Sequence, residues 1–182
     1  MSRYRRSNTT GASYFFTLVT YRRQAILCEP PIRNALRNAI TEVRQKRPFT
    51  IDAWVLLPDH FHCLWTLPPG DADYSMRWSL IKRKVSLSCG PRFKRQEWIT
   101  SSKQKHREST IWQRRYWEHQ IRDESDHQRH LDYIHWNPVK HGHVEHVVDW
   151  PYSTFERYVK QGVYSMDWGG YVGAEFASDF GE

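Results

Sequence analysis

The stretch "FTIDAWVLLPDHFHCLWTL" (49–67) holds two apolar, strand-like runs separated only by Pro58-Asp59. Two such runs across a tight turn fold back on each other as antiparallel neighbours, and the rest of the chain is arranged around them. Before them, "SYFFTLVTY" (13–21) reads as a strand. Pro30 and Pro31 then open "PPIRNALRNAITEVRQKRP", where Ile32, Leu36, Ala39, Ile40 and Val43 recur at helical spacing until Pro48. After the pair, the loop "PPGDAD" leads into a second helix, "YSMRWSLIKRKVSLSC". The polar, basic stretch 90–109 is expected to be an exposed loop, and "STIWQRRYWEHQI" (109–121) a fourth strand. The order βαββαβ defines an α+β, ferredoxin-like arrangement with a central antiparallel sheet.

A third helix, capped by Asp123 or Ser125, carries "DHQRHLDYIHW". It is expected to stop at Trp136, because Pro138 pushes Asn137 out of helical conformation. A Trp- and Tyr-containing acidic tail (150–182) holds a short helix, "STFERYVK", and an irregular end. These elements make one domain over residues 1–182, with a basic arm at 1–12.

Charge is unevenly spread. The net +7 combines +8 over residues 1–50, −4 over 51–76, +10 over 77–115 and −7 over 116–182. Two basic blocks of this kind suit phosphate contacts, although a solvated basic surface has the same signature. The start, "MSRYRRSNTTG", has no apolar run behind it, and no stretch approaches the roughly 20 apolar residues of a membrane span, which points to the cytoplasm and no membrane partner. Cys28, Cys63 and Cys89 suggest neither a disulfide framework nor a zinc site.

Residues two apart in a strand share a face, so His60 and His62 can converge while Phe61 points into the core on the other side. Such a pair suits a metal ion, or two hydrogen-bonded histidines on a solvent-facing strand. "HGH" (141–143) has the same spacing, but it contains glycine and follows Asn-Pro, so it is expected in a surface turn. On the third helix Tyr133 and Asn137 are four apart and stack on one face, at the margin of a buried stripe formed by Leu131 and Ile134 with His127 beside them. An amide oxygen there is a competent third ligand for a hard divalent ion.

"HFH", then "DYIHWNPVKHG" and "DWPYSTF", resembles the single-tyrosine HUH transposases, and among them the REP-associated tyrosine transposases. The likeness runs from "SRYRR" through "DAWVLLPDHFHCLWTLP" and "IWQRRYWEHQIRD" to "DWGG". It implies that His60 and His62 hold a divalent metal against the scissile phosphate and that Tyr133 is the nucleophile. Mobile members place a glutamine four residues beyond the tyrosine. Here Asn137, one methylene shorter, takes that place. The resemblance implies Mg2+ or Mn2+, although imidazoles usually favour zinc, copper, iron or nickel. It further implies a hairpin DNA substrate with a short single-stranded flank, cut and rejoined through a 5′-phosphotyrosine link, by a chain read as a monomer. On that basis Arg3, Tyr4, Arg5 and Arg6 are assigned to the flank, and Lys82, Arg83, Lys84, Arg114 and Arg115 to the hairpin backbone.

Other readings stay open at this level. Tyr116, beside Arg114 and Arg115, is a rival nucleophile or a base-stacking ring. A hairpin-binding protein that has lost cleavage would keep the same fold. A small zinc hydrolase would use His60, His62 and another histidine, with Asp59 as its base. Zinc deaminases are excluded, because their paired cysteines are missing.

Overall fold

A computed structural model of the chain describes residues 6–169. Four strands, β1 (Ser13–Val19), β2 (Thr50–Leu56), β3 (His60–Thr66) and β4 (Trp117–Gln120), form one sheet ordered β2-β3-β1-β4. Every neighbouring pair is antiparallel. Five helices accompany it: α1 (Pro30–Lys46), α2 (Tyr74–Phe93), α3 (Ser101–Lys105), α4 (Glu124–Lys140) and α5 (Phe155–Lys160). Each central strand lies between the two strands joined by a crossover helix, which is the ferredoxin-like arrangement.

Strand alternation divides the core in two. Tyr14, Phe16 and Leu18 of β1, with Phe61, Cys63 and Trp65 of β3, pack against Ile32, Leu36 and Val43 of α1 and Trp78, Ile81 and Val85 of α2. The intervening residues Phe15, Val55 and Leu64 meet Leu131, Tyr133 and Ile134 of α4 and Phe155 of α5. Thus α1 and α2 cover one face of the sheet, and α4 covers the other. His60 and His62 fall on the α4 side by the same alternation.

Four expectations need correction. First, α2 continues to Phe93, and the segment expected as an exposed loop contains α3 and a buried Lys103. The Lys103 ammonium lies 3.8 Å from the Tyr21 ring centroid and 3.3 Å from the Ser109 carbonyl oxygen, so its burial is compensated.

Second, the fourth strand is only Trp117–Gln120. Thr17 pairs with Trp117 and Thr20 bridges Trp112, so three steps along β1 face five along the partner. The two surplus residues break the ladder and swing segment 113–116 outward, as a bulge does. Third, α4 runs through Pro138 to Lys140. An interior proline costs a helix about 3 kcal/mol. Here Pro138 and Asn137 are both buried, and the last turn closes on Asn137, Pro138 and Val139 carbonyls through the amides of His141, His143 and Gly142. Fourth, Tyr133 and Asn137 are not marginal: they are 1% and 0% exposed, while His127 is only half-buried.

Candidate active site and basic groove

His60 and His62 lie on one face of β3 with ring centroids 5.0 Å apart and planes at 81°. Both are buried, so the solvent-facing alternative does not hold. Phe61 is fully buried on the opposite face, 4.6 Å from Trp54. Each imidazole is held through Nδ1. That of His60 is 2.7 Å from Asp59 Oδ1, and that of His62 is 2.9 Å from Thr17 Oγ1. Burial pushes the Asp59 carboxyl up, but its hydrogen bond and charge contact with His60, helped by Arg23, outweigh this and hold it below its ordinary value. Asp59 therefore orients the His60 imidazole.

From the other side, α4 brings Tyr133 to within 5.2 Å of His62, ring centroid to ring centroid. The Lys140 ammonium, two turns on, donates to the Tyr133 hydroxyl at 3.0 Å. Beyond the helix, Gly142 takes a left-handed φ of +68°, and exposed His141 comes 5.1 Å from the His60 ring. The "HGH" turn is thus at the surface, as expected, yet its first histidine borders the pair. Tyr116 lies on the opposite face, 6.0 Å from Phe16, so the sheet separates it from both histidines.

A second cluster was not anticipated. His119 of β4 with Asp126 and His130 of α4 place one ligand atom each within 4.8 Å of one another. Asp126 closes a reciprocal cap at the start of α4: Asp123 accepts from its amide, and its own Oδ2 accepts from Arg122 N and from His119 Nε2, the latter at 2.7 Å. Its other oxygen meets Arg129 at 3.2 Å. The carboxylate is saturated within the protein, so we assign the cluster to fixing α4 on the edge strand. His130 donates from Nδ1 to the Asp126 carbonyl at 2.7 Å, and burial lowers its pKa to about 4. The i−4 spacing of Asp126 and His130 was legible in the sequence, but the partnership with His119 was not.

The basic residues separate into groups. Arg6, Lys82, Arg83, Lys94, Arg107 and Arg114 line a groove of about 770 Å³ between α2 and segment 107–116. Within it, Lys82 is turned onto the carbonyls of Gln113 and Arg114 at 2.6 and 3.2 Å, and burial above all lowers its pKa to about 8. Lys84 points elsewhere, pairing with Glu42 of α1. Residues 82–84 therefore do not form one patch. Arg114 is exposed and 3.2 Å from Glu108, and Arg115 is exposed. Arg3, Tyr4 and Arg5 lie outside the described residues.

Among the described residues no helix is long and apolar enough to cross a membrane. With this fold and site in view, the comparisons are unambiguous: residues 8–137 match the IS200-like transposase family, to which the chain belongs, and it is an enzyme of the DNA transposase class. Its similarity is specific within that class. A REP-associated tyrosine transposase of Escherichia coli is 45% identical over 94% of this chain and 93% of its own length. A relative from Haemophilus influenzae is 47% identical over 93% of this chain and 94% of its own. A solved structure of a REP-associated tyrosine transposase bound to a REP hairpin aligns with a TM-score of 0.83 at 44% identity, covering 100% of this chain and 98% of that one.

Proposed function

We propose that this transposase cuts and rejoins single-stranded DNA beside a REP-type hairpin, with Tyr133 as nucleophile. One observation carries the reading: Tyr133, on a helix, comes from a distant part of the chain to 5.2 Å, ring centroid to ring centroid, from His62, which itself lies 5.0 Å from His60 on the strand. The Tyr133 oxygen attacks phosphorus, a tyrosyl–phosphate bond forms, and the bond to the 3′ oxygen breaks. The phenolic proton passes to water, and the departing 3′ oxygen takes one up. Attack by a 3′ hydroxyl on the phosphotyrosine runs the same exchange backwards, so no nucleotide cofactor is required.

The family is generally metal-dependent. The donor set fits a divalent ion, since two imidazoles held at Nδ1 and a buried amide four residues from the tyrosine approach from facing elements. His60, His62 and Asn137 would hold it, with Mg2+ or Mn2+ as the ion. When bound, it supplies charge neutralisation at the phosphate oxygens. Asp59 and Thr17 fix the imidazole orientations through Nδ1.

The groove beside α2 is the proposed hairpin seat, with Arg83, Arg107 and Arg114 on the phosphates. Groove and histidine pair lie on opposite faces of the sheet, so hairpin grip and cutting are separated by its thickness. A second reading, hairpin binding without cutting, draws support from the near-complete burial of Tyr133. A denaturing gel decides between them. The protein is incubated with a REP-type hairpin bearing a single-stranded flank and Mg2+ or Mn2+. A covalent adduct is expected from wild type and none from Tyr133→Phe. Binding without adduct in the wild type would establish the second reading.

A further inference from the structure

We infer that Lys140 is a further catalytic residue, stabilising the Tyr133 oxygen when it carries negative charge. This rests on the reading of Tyr133 as nucleophile. The geometry comes from α4 itself. Positions 133, 137 and 140 are spaced i, i+4 and i+7, which returns them to one side of a helix after two turns. Because α4 continues through Pro138, Lys140 is still helical, and its half-buried side chain runs back along that side. Its ammonium donates to the Tyr133 hydroxyl at 3.0 Å and lies 4.8 Å from the ring centroid. The contact is made to the reacting oxygen itself.

That placement has consequences in both directions. In cutting, the phenolic proton leaves to water, the oxygen–phosphorus bond forms and the phosphorus–3′ oxygen bond breaks. In rejoining, a 3′ hydroxyl oxygen bonds to phosphorus, its proton goes to water, and the electron pair of the broken tyrosyl bond returns to the Tyr133 oxygen. On either path that oxygen is charged at one end of the reaction coordinate and partly charged in the transition state. A fixed ammonium donor in a buried site stabilises such charge without having to reorganise. The role assigned to Lys140 is to hold charge at the Tyr133 oxygen rather than to shuttle a proton.

The test is single-turnover kinetics of adduct formation, and of resealing by an added 3′-hydroxyl strand, at saturating REP-type hairpin. Lys140→Met is expected to slow both directions by a similar factor, on the order of a hundredfold, the cost of losing one oxyanion donor. Hairpin affinity should stay within about twofold, since the groove is on the other face. Lys140→Arg, which keeps the charge, should recover most of both rates, whereas Lys140→Gln, a neutral donor, should not. Circular dichroism melting of each variant separates these effects from unfolding. Wild-type rates in Lys140→Met, a loss of hairpin affinity alone, or equal rates in the Gln and Arg variants would each overturn the inference. An adduct that persists in Tyr133→Phe would instead overturn the nucleophile assignment, so the two failures are distinguishable.

Discussion

Arg6 lies with its guanidinium carbon 4.3 Å above the Tyr116 ring and donates to the Tyr116 hydroxyl at 2.5 Å. The same guanidinium reaches Ser75 at 2.7 Å and Glu118 at 3.5 Å, so the root of the basic arm is fastened to the groove wall. Tyr116→Phe removes the hydroxyl that this fastening uses. Adduct formation should persist, because Tyr116 is across the sheet from the histidines, while hairpin affinity weakens. Loss of the adduct at saturating hairpin would return Tyr116 to the role of nucleophile.

Asn137→Ala should raise the Mn2+ concentration needed for half-maximal adduct by about tenfold or more, the usual scale for disturbing a metal site. Calorimetric Mn2+ titration of the protein without DNA provides a readout independent of activity. An unchanged metal dependence would leave Asn137 with a purely structural place in the last turns of α4.

Groove charges should differ from their neighbours outside it. Replacing Arg83 or Arg114 by alanine should weaken binding to every hairpin alike and flatten the slope of log affinity against log salt by about 0.9 per lost duplex-phosphate contact. Lys84→Ala should leave that slope unaltered, since Lys84 is engaged with Glu42 away from the groove. Equal effects from all three would show that general charge, not the groove, drives binding.

Stability should fall in mild acid. Burial holds His130 at about 4 and His135 at about 3, both below the ordinary 6.5. The unfolded chain therefore binds protons between these values that the folded chain refuses. Their contribution is fully present above about pH 6.5 and is lost as pH falls through about 4 for His130 and about 3 for His135. Melting temperature measured at pH 7.5, 6 and 5 should drop at each step. His135→Gln should flatten the profile. A melting temperature independent of pH over this window would contradict the burial of these rings.

Much of this architecture was readable because it depends on short periods. Alternation in "HFH" is enough to put His60 and His62 on one face and Phe61 on the other. The four-residue step from Tyr133 to Asn137 is enough to stack them. What sequence could not give depends on tertiary compensation. Pro138 looked like a stop, since its local cost is visible and the burial that offsets it is not, and Lys140 was hidden with it. The outward swing of 113–116 comes from a mismatch of two residues against a strand a hundred positions away. Lys82 and Lys84 look like one patch, but two steps along a helix turn them toward different neighbours.

The unbroken path of α4 through Pro138 also has a mechanical meaning. Seven residues separate Tyr133 from Lys140, about 10 Å of a single rod, and Asn137 rides between them. The histidines are bolted instead to the sheet, in register with β1 through Thr17 and Val19. The site is therefore built from two elements, and Tyr133, the Asn137 amide and the Lys140 ammonium take their mutual spacing from the helix alone. Tyr133 is buried where the helix meets the sheet, so the reach of its hydroxyl is set by how the helix is seated on the strands.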